Sequence, residues 1–161
     1  MPLLLFFMLL PVGAGDVAPA CRPASVAGLI TPALSETFEL PVGGSARIAS
    51  TDLTVVFEEV ESDSRCPTGV TCVWEGDGVV HLCLGASPQT ATSLRLHTRE
   101  SASQKARHAG LVIQLVELRP YPAGDVPVDS ATYRVRLVVS REESGGGAGS
   151  AEGGVTTDAN R

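Results

Sequence analysis

The sequence predicts an all-β fold, a single antiparallel β-sandwich or small barrel of about seven strands. Three observations predict it. Short apolar segments recur along the middle of the chain, each bounded by Gly, Pro, Asp or Ser. In Tyr133-Arg134-Val135-Arg136-Leu137 apolar and charged residues alternate, so that one face packs while the other meets water. No stretch carries a 3.6-residue apolar stripe long enough to build a packed helix.

Taken in order, the expected strands are residues 37–40, 46–49, 53–60, 78–84, 92–98, 111–118 and 133–140. Leu53 and Phe57 fall on one face of the third. Leu94 and Leu96 alternate with Arg95 and His97 in the fifth. Leu111-Val112-Ile113-Gln114-Leu115-Val116 is apolar on nearly both faces, the pattern of a central strand. Residues 102–110 lack an apolar stripe and read as a surface connection.

The ends differ in kind. Leu3-Leu4-Leu5-Phe6-Phe7-Met8-Leu9-Leu10, followed by Pro11 and small residues, has the layout of a secretory leader and is too short to span a bilayer. Residues 1–20 are therefore expected to be a signal peptide, 21–36 a linker, 37–140 the sandwich, and the Gly- and Ser-rich residues 141–161 a disordered tail. Small residues mark two cleavage positions, Gly13-Ala14-Gly15 and Ala18-Pro19-Ala20. The second would leave Cys21 first. That is similar to a bacterial lipoprotein signal, with Ala18 where a large aliphatic residue is usual, and a lipid on Cys21 would be the chain's one route to a membrane. The other product is secreted or periplasmic. The net charge of −6, with arginines scattered between acidic residues, offers no basic stripe and argues against nucleic acid as a partner.

The most specific segment runs from Glu58 to Gly78. In an oxidising compartment Cys66 and Cys72 would close a short loop whose Pro67 and Gly69 favour the turn, a closure worth about 2.4 kcal/mol in loop entropy. A zinc pair is the alternative, but Cys83, His81, His97 and His108 supply no second half at ligand spacing. The disulfide is favoured. Two fates are open to Cys21 and Cys83: lipidation of Cys21 with Cys83 left as a free thiol, or a second bridge between them. Trp74, the only tryptophan, also has two roles open to it, a lid packed over the neighbouring disulfide, which is the commoner placement, or an exposed anchor.

Asp63-Ser64-Arg65-Cys66-Pro67 followed by Cys72-Val73-Trp74-Glu75-Gly76 resembles an uncharacterised group of exported bacterial β-rich proteins, many of them lipoproteins. The likeness extends over residues 37–140, including the later Leu115–Tyr121 stretch with Pro120-Tyr121-Pro122, although only the cysteine loop is specific. It implies export and a β-rich fold, and supplies no activity.

Candidate chemistry is thin. There is no Gly-x-Ser-x-Gly elbow, no His-Glu-x-x-His and no phosphate-cradling loop before a helix, so no catalytic residue is assigned, no enzyme activity is expected and no cofactor is implied. The alternative function is metal binding, through loop carboxylates Glu61, Asp63, Glu75 and Asp77 or strand histidines His81 and His97, without the spacing of a known site, and no metal ligand is assigned. The leading expectation is an exported, non-enzymatic module that binds an unknown protein or envelope component, or contributes structurally. An inhibitor of a secreted enzyme is one special case. Its recognition surface is expected on the loop from Glu61 to Asp77, with Asp63, Arg65 and Trp74 as contacts, Arg65 lying on the rim where truncation is cheap.

Overall fold

The computed structural model describes residues 21, 28–87, 90–100, 102–124 and 126–142. The expected signal peptide, residues 22–27 of the expected linker and the tail from residue 143 lie outside these. Among the described residues, eight strands form an open sandwich of two antiparallel sheets. They are β1 (Thr37–Pro41), β2 (Ser45–Arg47), β3 (Thr54–Asp63), β4 (Gly78–Gly85), β5 (Thr92–His97), β6 (Lys105–His108), β7 (Leu111–Arg119) and β8 (Arg134–Arg141). One sheet has the order β1-β8-β7-β6 and the other β2-β3-β4-β5.

Alternation fills the core. Val55 and Phe57 of β3, Val80, Leu82 and Leu84 of β4, and Leu96 of β5 meet Phe38, Leu40, Ile113, Leu115, Val135, Leu137 and Val139 from the opposite sheet. In β7 a bulge between Leu115 and Glu117 takes up Val116, so that Leu118 returns to the core beside Val135. The sandwich gains one strand over the sequence expectation, because residues 102–110 are not merely a surface connection. They contain β6, which pairs with β7 from Lys105↔Gln114 to His108↔Leu111. Ala109 and Gly110 turn that hairpin with φ of 49° and 74°, both positive as a tight primed turn requires.

The chain before β1 is built into the sandwich from Ile30 onward. Ile30 forms a parallel bridge with Ala46, its N–H donating to the Ser45 carbonyl and its carbonyl accepting from Arg47, which covers the β2 edge of one sheet. Ser35 then donates to the Val139 carbonyl of the other sheet. Farther upstream, Cys21 is disulfide-bonded to Cys83, whose side chain lies on the outer face of β4, out of phase with core residues Leu82 and Leu84. A sulfur in a disulfide has no free valence for a thioether-linked lipid. Of the two fates open to this pair, the structure holds the bridge.

Because this bridge spans a sequence separation of 62, loop entropy assigns it about 4 kcal/mol. Cys83→Ala is expected to lower the unfolding free energy by that order in a urea titration, and a non-reduced digest of the purified protein should link the Cys21 and Cys83 peptides.

Candidate partner-binding loop

The loop from residue 64 to 77 joins β3 to β4 and starts from an ion pair. Asp63 and Arg65 are two residues apart, which sends both side chains to the same side of the strand end. Arg65 is buried. Its Nε donates to Asp63 Oδ1 at 2.8 Å and its Nη2 to Oδ2 at 2.6 Å, the two-point geometry that a guanidinium makes with a carboxylate. Nη1 donates to the Leu118 carbonyl and Nη2 to that of Pro120, while the guanidinium carbon lies 4.9 Å from the centre of the Tyr121 ring. Tyr133 Oη donates to Asp63 Oδ2 at 2.8 Å. The pair thus ties the end of β3 in one sheet to the end of β7 and the approach to β8 in the other.

Electrostatics follow from that geometry. Burial pushes the Asp63 carboxyl up, but the hydrogen bonds from Arg65 and Tyr133 and the guanidinium charge outweigh it and hold the group below its ordinary value. Tyr133 moves the other way: burial, followed by the hydrogen bond to Asp63 and its charge, pushes the phenol up to about 12.

Above this base the loop is closed by the Cys66–Cys72 disulfide. Thr68 donates to the Pro122 carbonyl and forms a parallel bridge with Ala123, joining the loop to residues 119–124. The return limb is fastened to the outgoing one, Ser64 N–H donating to the Asp77 carbonyl at 2.7 Å and Asp77 N–H to Ser64 Oγ at 3.0 Å. Gly76 is required there: its φ is +73°, and a Cβ would stand 2.0 Å from the Ser64 carbonyl oxygen. Asp77 accepts from the N–H groups of Thr98 and Arg99 and meets His97 Nδ1 at 2.6 Å. Burial pushes its carboxyl up, and His97 with these donors outweighs that and sets it below its usual range.

What this frame presents is apolar. Val73 and Trp74 are 90% and 83% exposed at the tip, and Val70, Tyr121 and Val126 are exposed on the same two loops. Two sequence expectations are thereby corrected. Trp74 is not a lid over the disulfide but an exposed side chain. Arg65 is not a rim contact: it and Asp63 are spent on each other and on the two sheets, with side chains only 6% and 8% exposed. Sequence assigns no site role to Tyr133, Tyr121 or the carbonyls of Leu118 and Pro120; the shared parity of Asp63 and Arg65 is the local signal that could find part of their network.

The strand histidines are engaged separately. His81 pairs in register with Arg95, and His97 lies one diagonal away on the same outer face. His81 Nε2 meets Ser93 Oγ at 2.6 Å, and His97 is taken by Asp77. Among the described residues no three His, Cys, Asp or Glu side chains gather as a metal-holding group. No protein-family model, curated protein or solved structure matches the chain.

Arg65→Ala should destabilise the fold by about 3–5 kcal/mol, since it leaves Asp63 buried without its counter-charge. Arg65→Lys keeps the charge but cannot reproduce the fork, and is expected to restore only part of that loss. Both are read by chemical denaturation.

The pH dependence has two limbs. Asp63 is depressed in the folded state, so its contribution is present above the unfolded value of about 4 and is lost as pH falls through the folded one. Tyr133 is raised, so its contribution is present below about 10 and is lost as pH rises toward the folded value of about 12. Thermal unfolding across pH should show both limbs, and Tyr133→Phe should weaken the alkaline one.

Proposed function

We propose that this chain is a secreted or periplasmic, non-enzymatic binding module that captures a protein or envelope component through the tip of the β3–β4 loop. The observation that carries the reading is the 83% exposure of Trp74, beside Val73, on a loop fixed from both ends. A solvated indole forgoes the burial that stabilises most tryptophans, and tryptophan is among the side chains most often found at the centre of interfaces. The disulfide, the Ser64–Asp77 clamp and the Asp63–Arg65 base reduce the ordering cost of docking such a side chain. In this reading Asp63 and Arg65 support the tip, and Trp74 makes the contact.

Export fits the chemistry of the frame. Two disulfides are compatible with an oxidising compartment. The leader-like residues 3–10 point the same way. With Cys21 in a disulfide, a soluble product is favoured over a lipid-anchored one.

The experiment is partner capture from native envelope and secreted fractions with wild-type and Trp74→Ala baits, read by mass spectrometry. Because Trp74 is exposed, its truncation should change stability by about 0.5 kcal/mol or less. A wild-type partner that is lost from the folded variant is the expected result. Equal capture by both baits would reduce the loop to a structural staple and move the binding face elsewhere.

A further inference from the structure

Resting on the loop as a binding site, we infer that its partner is a protein surface bearing a cationic side chain, arginine or lysine, that docks against the Trp74 ring and the Glu75 carboxylate. Charge selects the partner. From Glu58 to Asp77 the chain places Glu58, Glu59, Glu61, Asp63, Glu75 and Asp77 against Arg65 alone. Arg65 is committed to Asp63, Asp77 is committed to His97 and to backbone N–H groups, and Glu61 is paired with Arg95 at 2.7 Å. Glu75 follows Trp74 directly, is exposed, and makes no side-chain hydrogen bond or ion pair among the described residues. The tip therefore offers an exposed indole and, on the next residue, an exposed carboxylate that forms no ion pair among the described residues and faces a cleft it shares with Arg65 and Arg99. Indole is the strongest side-chain acceptor for a cation over its face, and an adjacent carboxylate reinforces the same preference. Phosphate-bearing ligands are disfavoured by the same charges.

A bilayer is the other occupant that an exposed tryptophan and valines would suit. The backbone of the tip argues against it. Among the described residues no backbone–backbone hydrogen bond involves Thr71, Cys72, Val73 or Trp74. Hydrocarbon would strip those groups of water and return nothing, whereas a protein surface can pair with them.

Because Trp74 is the only tryptophan, its emission reports directly on the tip. The full chain is titrated at low salt with tetra-arginine amide, with tetra-citrulline amide as the uncharged isostere, and with phosphatidylcholine vesicles. A saturable emission change is expected with the arginine peptide alone, suppressed by salt and about fivefold weaker in affinity for Glu75→Gln. Equal response to the two peptides, unchanged affinity in Glu75→Gln, or a blue shift on vesicles without response to the arginine peptide would each overturn the inference. If Trp74→Ala abolishes partner capture while the arginine peptide leaves the emission unmoved, the loop remains the binding site and only the cationic partner falls. If capture is also unaffected, both fall together.

Discussion

Arg65 brings a guanidinium to the place where the two sheets converge, and this end of the sandwich is arranged to satisfy it. A buried charge is tolerated only with a counter-charge and partners for its remaining donors. Here the counter-charge comes from the end of β3, two carbonyls from the end of β7 and the chain just beyond it, and the carboxylate's remaining donor from Tyr133 before β8. The partners come from three segments, so meeting the requirement of one side chain fixes the mutual position of all three. Gly78 follows from the same convergence. A Cβ there would stand 2.9 Å from Leu118 Cδ2, and the absence of a side chain lets β4 begin against the end of β7. Such a pair adds little stability beyond what apolar residues of equal volume would give. Its consequence is geometric, because the exits of β3 and β7 can be joined in this arrangement and in few others.

The loop inherits that definition. Its outgoing limb leaves Arg65, its return limb is held at Ser64, and Gly76 fits only because no side chain contests the Ser64 carbonyl. The glycine that closes Cys72-Val73-Trp74-Glu75-Gly76 is therefore a backbone requirement, and so is the serine between Asp63 and Arg65, whose hydroxyl receives the Asp77 N–H. Of the loop's specific residues, the aromatic one alone has no structural task. That contrast separates Trp74 from its neighbours and directs attention to the tip.

The fold was legible because alternation is a local signal, and β7 and β8 carry it nearly unbroken from Leu111 and Arg134 onward. Strand β6 was not legible. Ala106 is its one residue packed against the core, and Ala109-Gly110 is a weaker turn signal than Asn-Gly or Asp-Gly. The site was half legible for a different reason. Spacing identified the cysteine loop, but residue type cannot say which of Arg65 and Trp74 is buried. Frequencies at interfaces favour both, and burial here depends on Tyr133, 70 residues away from Asp63 in sequence. An arginine two residues after an aspartate at a strand end has an inward partner available, and a tryptophan between Val73 and Glu75 on a constrained loop has none.

The two disulfides then perform unequal tasks. Cys21–Cys83 closes a long segment and fastens Cys21 to the outer face of β4, so its effect falls chiefly on the unfolded ensemble. Cys66–Cys72 closes a loop whose ends are already constrained by the Ser64–Asp77 hydrogen bonds and the Arg65 network, and its entropic share of about 2.4 kcal/mol overlaps with theirs. Its distinct contribution is to the native state. Cys72 immediately precedes Val73 and Trp74, and bonding it to Cys66 carries the order of the buried base out to residues that the sheets do not touch. A tip held only by backbone hydrogen bonds could fold back and cover its indole. One held by a covalent bond next to the tryptophan has less freedom to do so, and the apolar surface stays open to solvent.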